Sequence, residues 1–298
     1  MTESEGLATD DAVLPATRRL AAFIVPFLVV AFVVLYGFPD ETERLFAWTI
    51  TPSMTPMVLG AVYLGGSYFF LRAFRATEWH RIKAGFVAVG SFASLMGVAT
   101  ILHWDRFNHD HVAFWLWGGL YFTTPFLVWG VWAANRRRAD TPGPDDVMLG
   151  PVARLGLAVT GALAVAAGLF LFLLPEQAID VWPWALTPLT SRVMGAVFML
   201  GIAGLGVMSD ARWSAAKLML QVEAFMLILI LGAAARAHDE FDGSNPMTWL
   251  LLGGFLAALV SAGVLLATMD KAPRSAAEPE PAPAPPGDAG PGLAPTEG

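Results

Sequence analysis

Long apolar stretches alternate with short polar ones along most of the chain. A helix needs about 20 mostly apolar residues to cross the hydrocarbon layer of a bilayer. Eight stretches meet this requirement, at residues 20–38, 54–74, 81–102, 112–134, 152–174, 190–209, 215–235 and 247–269. They are too long and too uniformly apolar for the alternating strands of a membrane barrel. The pattern therefore predicts an all-α fold, a polytopic membrane bundle of eight transmembrane helices surrounded by lipid bilayer.

The composition agrees with this prediction and excludes several classes of function. Of 298 residues, 56% are hydrophobic and 14% charged, whereas soluble domains have about 45–50% and about 25%. The absence of cysteine excludes disulfides, thiolate metal sites and cysteine nucleophiles. No basic stripe offers a surface for nucleic acid. Known catalytic and nucleotide-binding signatures are missing, so the sequence requires no cofactor and favours a protein that is not an enzyme.

The distribution of lysine and arginine predicts the orientation in the membrane. All but four of the 18 basic residues fall in the tails and in alternate loops on one side. The opposite side has Arg44, Arg106, Arg192 and Arg236, together with ten acidic residues. Because basic loops stay on the cytoplasmic side, both termini are predicted to be cytoplasmic, in a multi-pass protein of the cytoplasmic membrane. The acidic outer loops would concentrate cations near an outward-facing entrance.

The second half of the chain repeats the first. Four residues recur 136 positions later: Pro39 as Pro175, Trp48 as Trp184, Thr51 as Thr187 and Pro52 as Pro188. The spacing predicts two four-helix repeats, 20–134 and 152–269, joined by a basic linker, 135–151. A cytoplasmic tail, 1–19, precedes them, and a disordered Pro/Ala-rich tail, 270–298, follows them. Since four spans return the chain to its starting side, the repeats are expected to be parallel and related by a pseudo-two-fold axis along the membrane normal.

Aromatic and small residues predict further features of the bundle. Eleven tryptophans fall near the ends of the predicted spans, including Trp48 and Trp184 in aromatic loops before the second and sixth stretches. Indole rings favour the headgroup layer, so these residues are predicted to be interfacial anchors. Glycines such as Gly195, Gly201 and Gly204 recur at helical spacing and predict close packing between neighbouring helices.

A polar loop after the third stretch suggests a metal site. Its candidate ligands are His103, Asp105, His109 and His111, and the equivalent loop of the second repeat adds His238 and Asp239. Imidazole and carboxylate groups bind zinc, copper or manganese. The spacing matches no specific metal motif, and a solvated polar loop is the preferred interpretation. A haem held between His103 and His238 is disfavoured, because both residues lie at helix ends near water.

Glu223 is the strongest candidate for a substrate- or ion-binding residue. It lies inside the seventh stretch, near Gln221, where a charged side chain is costly and often marks an ion or proton pathway. A glutamate that caps a buried hydrogen-bond network is the alternative. Arg192, near the outer start of the sixth stretch, is a second candidate that would bind an anion, or else extend to the membrane interface.

Two duplicated segments carry a resemblance to a known family. Trp48-Thr49-Ile50-Thr51-Pro52 and Leu59-Gly60-Ala61-Val62 resemble segments in an uncharacterised family of bacterial multispanning integral membrane proteins. The resemblance covers most of the membrane part and implies a helical membrane fold, but no established activity. The leading hypothesis is a protein that binds or transports a small solute or ion through Glu223. The alternatives are a metal- or haem-binding membrane redox or hydrolytic protein that uses the outer His/Asp loop, and a non-catalytic scaffold or assembly subunit.

Reporter fusions test the predicted orientation. We expect a reporter that is active only in the cytoplasm to be active after residue 298 and within the linker 135–151, and inactive in loop 237–245. The physical reason is the excess of lysine and arginine in the tails and in the loops on the same side as the linker 135–151. Activity in loop 237–245 would contradict the prediction.

Overall fold

The protein is an all-helical membrane bundle. The computed structural model describes residues 11–136 and 146–271. Within them, eight helices are long and apolar enough to cross a membrane: α1 (Pro15–Gly37), α2 (Met54–Arg75), α3 (Lys83–Leu102), α4 (Val112–Asn135), α5 (Pro151–Leu173), α6 (Pro188–Met208), α7 (Trp213–Arg236) and α8 (Pro246–Met269). The prediction of a polytopic bundle with eight transmembrane helices is confirmed. Most of both predicted tails and of the linker lies outside the described residues.

Sequence features set the starts of several helices. Proline occupies the first helical position of α1, α5, α6 and α8, where its missing N–H costs no hydrogen bond. Side chains cap three starts. The His111 ring accepts from the Ala113 amide, the Asn245 side chain accepts from the Met247 amide, and Thr187 forms a capping box with Thr190. The start of α2 has no cap from its own segment.

Four inner helices form the centre of the bundle. Helix α2 packs against α7, and α3 packs against α6, so each inner contact joins one half of the chain to the other. The remaining helices flank them: α1 packs on α2, α4 on α3, α5 on α6 and α8 on α7. Accordingly, 67% of the residues in the most apolar segment of α2 are buried inside the protein. In the corresponding segment of α8 only 6% are buried. The outer helices therefore face the lipid.

Helix α6 is less regular than α2, its partner in the sequence duplication. Helix α2 is a continuous α-helix over 22 residues. In α6 the α-helix ends at Phe198, and the helix continues through 3-10 turns at Met199–Gly201 and Gly206–Met208, with one α-helical turn between them. Its 21 residues are nevertheless long enough to span a membrane.

The two ends of the bundle differ in charge, because basic residues at the helix ends, such as Arg72, Arg75 and Lys217, gather at one end and acidic loop residues at the other. We call the end with loops 76–82 and 209–212 the basic side, and the end with loops 38–53, 103–111, 174–187 and 237–245 the acidic side. Asp11 and Asp270 both bond to residues of the basic side, so the two ends of the described chain lie there together.

The same loop-to-loop backbone hydrogen bonds occur in both halves of the chain. On the basic side, the segment before the first helix of each half pairs with the loop after its second helix: Val13 N to Thr77 O (3.0 Å) and Leu149 N to Ala211 O (2.8 Å). On the acidic side, the aromatic loop of each half accepts one bond: Asn108 N to Ala47 O (2.9 Å) and Asp242 N to Pro183 O (3.0 Å). The corresponding residues lie 136 positions apart (Val13 and Leu149, Ala47 and Pro183) or 134 apart (Thr77 and Ala211, Asn108 and Asp242), so the offset of the repeated sequence shortens by two residues within each half.

The prediction that the tryptophans are interfacial anchors is wrong for five of the eleven. Trp48, Trp79, Trp117, Trp184 and Trp213 are buried inside the protein. The aromatic loop after α1 folds inward, because the Thr42 hydroxyl bonds to both the amide and the carbonyl of Ile50. Trp48 then packs against Phe46, Phe107 and Trp117, with ring centroids 4.7–5.0 Å apart. Trp104, Trp115 and Trp249 are exposed, as an anchor would be.

Glycines bring the backbones of α5 and α6 together, as the sequence predicts. A Cβ atom on Gly168 would lie 2.8 Å from the carbonyl oxygen of Gly195. One on Gly161 would lie 2.6 Å from that of Gly201. Both distances are shorter than van der Waals contact, so larger residues would separate the two helices.

A substitution at Gly168 tests this packing. We expect Gly168→Leu to lower the free energy of unfolding by about 1–3 kcal/mol, since the added atoms overlap the α6 backbone. Gly156→Leu, on the same helix, is the control because no atom lies within 4 Å of its Cβ position. Thermal unfolding in detergent measures the difference, and equal effects of the two variants would contradict the proposed close packing.

Candidate functional site

Glu223 lies near the middle of the membrane-spanning part of α7. It follows Trp213, the first residue of this 24-residue helix, by ten positions, which is about 15 Å along the axis at about 1.5 Å per residue. It lines a cavity of about 1550 Å³ to which all eight helices contribute, and the lining is mostly apolar. The cavity also extends to His80, Lys83 and Asp210 on the basic side.

Glu223 has no polar partner in the described part of the chain. No hydrogen bond or ion pair from residues 11–136 or 146–271 reaches its carboxylate. The hydrogen-bond network proposed as its alternative role is therefore absent from these residues. An acid that lines a cavity without a protein partner is open to one from outside the protein.

Gln221 does not join Glu223 in the cavity. Its side-chain oxygen accepts a hydrogen bond from the Tyr68 hydroxyl (3.3 Å), which in turn accepts one from Arg72 (3.0 Å). Residues two apart on a helix point to different faces, so Gln221 faces α2 instead. Its observed contacts connect α7 to α2 and give it no role at the cavity.

Arg192 pairs with His103 at the acidic side. The Arg192 guanidinium donates a 2.6 Å hydrogen bond to Nε2 of His103, which caps the end of α3. Partial burial and the nearby Arg192 charge lower the pKa of His103 below its ordinary value. The imidazole is thus a neutral acceptor, as this hydrogen bond requires. Arg192 lies in the first turn of α6, far along the helices from the depth of Glu223.

The other candidate metal ligands do not converge. His111 caps α4, and His109 packs against Trp104 and Phe114, with ring centroids 4.9 and 4.5 Å away. The remaining three candidates are exposed: Asp105, His238 and Asp239. Across the described ranges, no three His, Asp or Glu side chains form a group that could hold a metal ion. The imidazoles instead cap helices, pack with aromatic rings or lie exposed.

Glu240 is a structural residue that the sequence analysis did not single out. One carboxylate oxygen accepts from the Ser53 amide (2.9 Å) and from the Ser53 hydroxyl, and the other accepts from the Met54 amide (2.7 Å). A carboxylate at the start of a helix also interacts favourably with the helix dipole. Glu240 therefore supplies the missing cap of α2 from the other half of the chain. The sequence gives no hint of this contact, because Ser53 at the start of α2 is itself a residue type that commonly caps helices.

Charged residues pair closely at the basic side. Asp210 accepts hydrogen bonds from Arg212 Nε (2.8 Å) and Nη2 (2.6 Å), and Lys83 Nζ lies 2.8 Å away. Burial favours a higher pKa for Asp210, but the hydrogen bonds from Arg212 and Lys83 outweigh it and hold the pKa well below its usual range. The charges at this end of the cavity are thus neutralised by one another.

His80 connects the two halves at the same end. Its Nδ1 atom contacts the Asp11 carboxylate, and its Nε2 atom lies 3.0 Å from the Ser214 hydroxyl. Ser214 follows His80 by 134 residues, which is the offset of the duplication here. The arrangement provides a complete set of partners for the buried His80 ring.

Substitution of Glu240 tests its role as a cap. We expect Glu240→Ala to lower the free energy of unfolding by about 1–3 kcal/mol, because it leaves the Ser53 and Met54 amides without partners. Asp239→Ala is the matched control, since the neighbouring Asp239 is exposed. Thermal unfolding in detergent compares them, and equal stability of the two variants would show that the cap contributes nothing.

Comparisons with known proteins do not add to this geometry. A search against protein-family models, a search of curated proteins and a search of solved structures each find no match. The fold and the cavity around Glu223 are therefore the observations from which function is argued, and they establish a multi-pass integral membrane protein.

Proposed function

We propose that this protein binds a small, positively charged solute in the cavity beside Glu223 and moves it across the membrane. The observation that carries the proposal is the Glu223 carboxylate, which lines a cavity of about 1550 Å³ at mid-depth without a polar partner in the described chain. Binding sites of membrane transporters commonly lie at this depth, between repeated units.

The cost of an isolated acid in the membrane supports a ligand. A charged group at the centre of the bilayer is unfavourable by several kcal/mol, and such groups pair with one another or mark the path of a substrate. The described lining has one other acid, Asp210, and it pairs with Lys83. A bound cation would supply Glu223 with a compensating positive charge, as Lys83 does for Asp210.

The arrangement of the helices supports movement as well as binding. We infer that residues 20–134 and 152–269 form two parallel repeats, because α2 packs on α7 while the equivalent α6 packs on α3. The cavity takes its lining from both halves, so a change in their relative position would change access to Glu223. With both termini in the cytoplasm, the acidic side would face outward and concentrate cations at that surface of the membrane.

Chemical labelling tests whether Glu223 is a cation site. Dicyclohexylcarbodiimide modifies carboxyl groups in apolar surroundings, so we expect it to label Glu223 in the purified protein and not in Glu223→Gln. We expect at least one cation among Na⁺, K⁺, methylammonium, choline and tetraphenylphosphonium to slow this labelling by fivefold or more, roughly 1 kcal/mol of binding. Mass spectrometry of the labelled peptide gives the rate.

The control is Glu176→Gln, which alters an exposed acid on the acidic side and should leave the labelling of Glu223 unchanged. If none of the five cations changes the rate, Glu223 is not a cation site and the proposal is rejected. That outcome is the one expected of a scaffold that binds no ligand.

A further inference from the structure

We infer that the solute is a lipophilic organic cation, which reaches Glu223 from the bilayer through the cleft between α5 and α8. The inference rests on the proposed function and specifies its substrate class. Three features of the cavity carry it: the shortage of free oxygen ligands, the aromatic lining, and an opening on the lipid-facing surface of the second half.

The cavity is poorly suited to an inorganic cation. Such an ion exchanges its hydration shell for about six oxygen ligands. Glu223 supplies one carboxylate, and the other polar groups are largely engaged elsewhere. The hydroxyls of Tyr63 and Tyr121, for example, bond to each other at 2.7 Å, and Asp210 is held by Lys83 and Arg212. An ion that entered would lose more solvation than it gained.

A bulky organic cation avoids this penalty. Its charge is spread and weakly hydrated, while its apolar body gains free energy by leaving water. Aromatic rings line the cavity, including Phe92, Phe198 and Phe255, and aromatic rings attract cations. The volume of about 1550 Å³ also exceeds the roughly 300–1000 Å³ of common small-molecule sites. The walls and the single acid thus match a mainly apolar organic molecule with one positive charge.

The cavity opens towards lipid between α5 and α8. Leu163 of α5 and Leu250 of α8 both line it, although their exposed fractions are 67% and 68%. Small residues line the cleft between them: Thr160, Ala164, Ala257, Ala258 and Ser261. In the described chain, no hydrogen bond joins α5 to α8. The equivalent outer pair also has exposed lining residues, Val30 of α1 and Leu116 of α4. It differs because hydrogen bonds join its two helices at the basic end, from Asn135 of α4 to Thr17 and Leu14 at the start of α1.

Binding of tetraphenylphosphonium to the full chain in phosphatidylcholine nanodiscs tests the substrate class. We expect saturable binding that is at least tenfold weaker in Glu223→Gln, with Glu176→Gln unchanged. A hundredfold excess of Na⁺ or choline should not displace the probe. Equal binding by wild type and Glu223→Gln would mean that the probe only partitions into lipid and apolar grooves, and would overturn the inference.

A pair of α8 variants tests the route. Ala257 and Ala267 are both exposed, but only Ala257 lines the cavity. We expect Ala257→Phe to slow association of tetraphenylphosphonium by fivefold or more in stopped-flow measurements, and Ala267→Phe to leave it unchanged. Equal rates in the two variants would overturn the lateral route.

The two proposals fail in different ways. If Na⁺, methylammonium or choline protects Glu223 from the carbodiimide and tetraphenylphosphonium does not, the cation site stands and the lipophilic substrate is rejected. If no cation protects Glu223, both proposals fall.

Discussion

Contacts between the two halves of the chain at both ends of the bundle hold the structure together. At the acidic side, Glu240 caps α2, Arg192 pairs with His103, and the Trp184 indole donates to Thr55. At the basic side, His80 contacts Ser214. Each of these bonds satisfies a helix end or a polar group that is at least partly buried, and such groups need partners in and near a membrane. Because polar pairing is concentrated at the ends, the middle of the bundle is left to apolar packing and to the cavity.

This separation explains why Glu223 differs from the other acids. At the ends, carboxylates meet amides, arginine or lysine from another element, and their charges are compensated within the protein. At mid-depth the described helices offer Glu223 side chains that are mainly apolar. Stability alone would favour a neutral residue there. The acid is consistent with a requirement set by a molecule that the cavity receives.

The sequence predicted the helices well, because the length of an apolar run directly reflects the thickness of the membrane. Helix α7, predicted at residues 215–235, extends over Trp213–Arg236. Glu223 was also identifiable, since a lone acid in an apolar run stands out. The pairing of Arg192 with His103 was not identifiable from the sequence, because the two residues are 89 positions apart and meet only through the packing of α6 on α3. Trp48 was misplaced for a similar reason: the amphipathic indole suits the headgroup layer, but the loop folds inward and packs it against other aromatic rings.

The 3-10 turns of α6 affect the length of membrane that this helix can span with fewer residues than α2. A 3-10 residue advances about 2.0 Å along the axis, compared with about 1.5 Å in an α-helix. The six residues Met199–Gly201 and Gly206–Met208 therefore lengthen α6 by about 3 Å relative to an ideal α-helix of the same residues. This lengthening exceeds the roughly 1.5 Å that α6 loses by being one residue shorter than the continuous α2. An overwound helix can thus span the same thickness of membrane as a continuous α-helix with fewer residues.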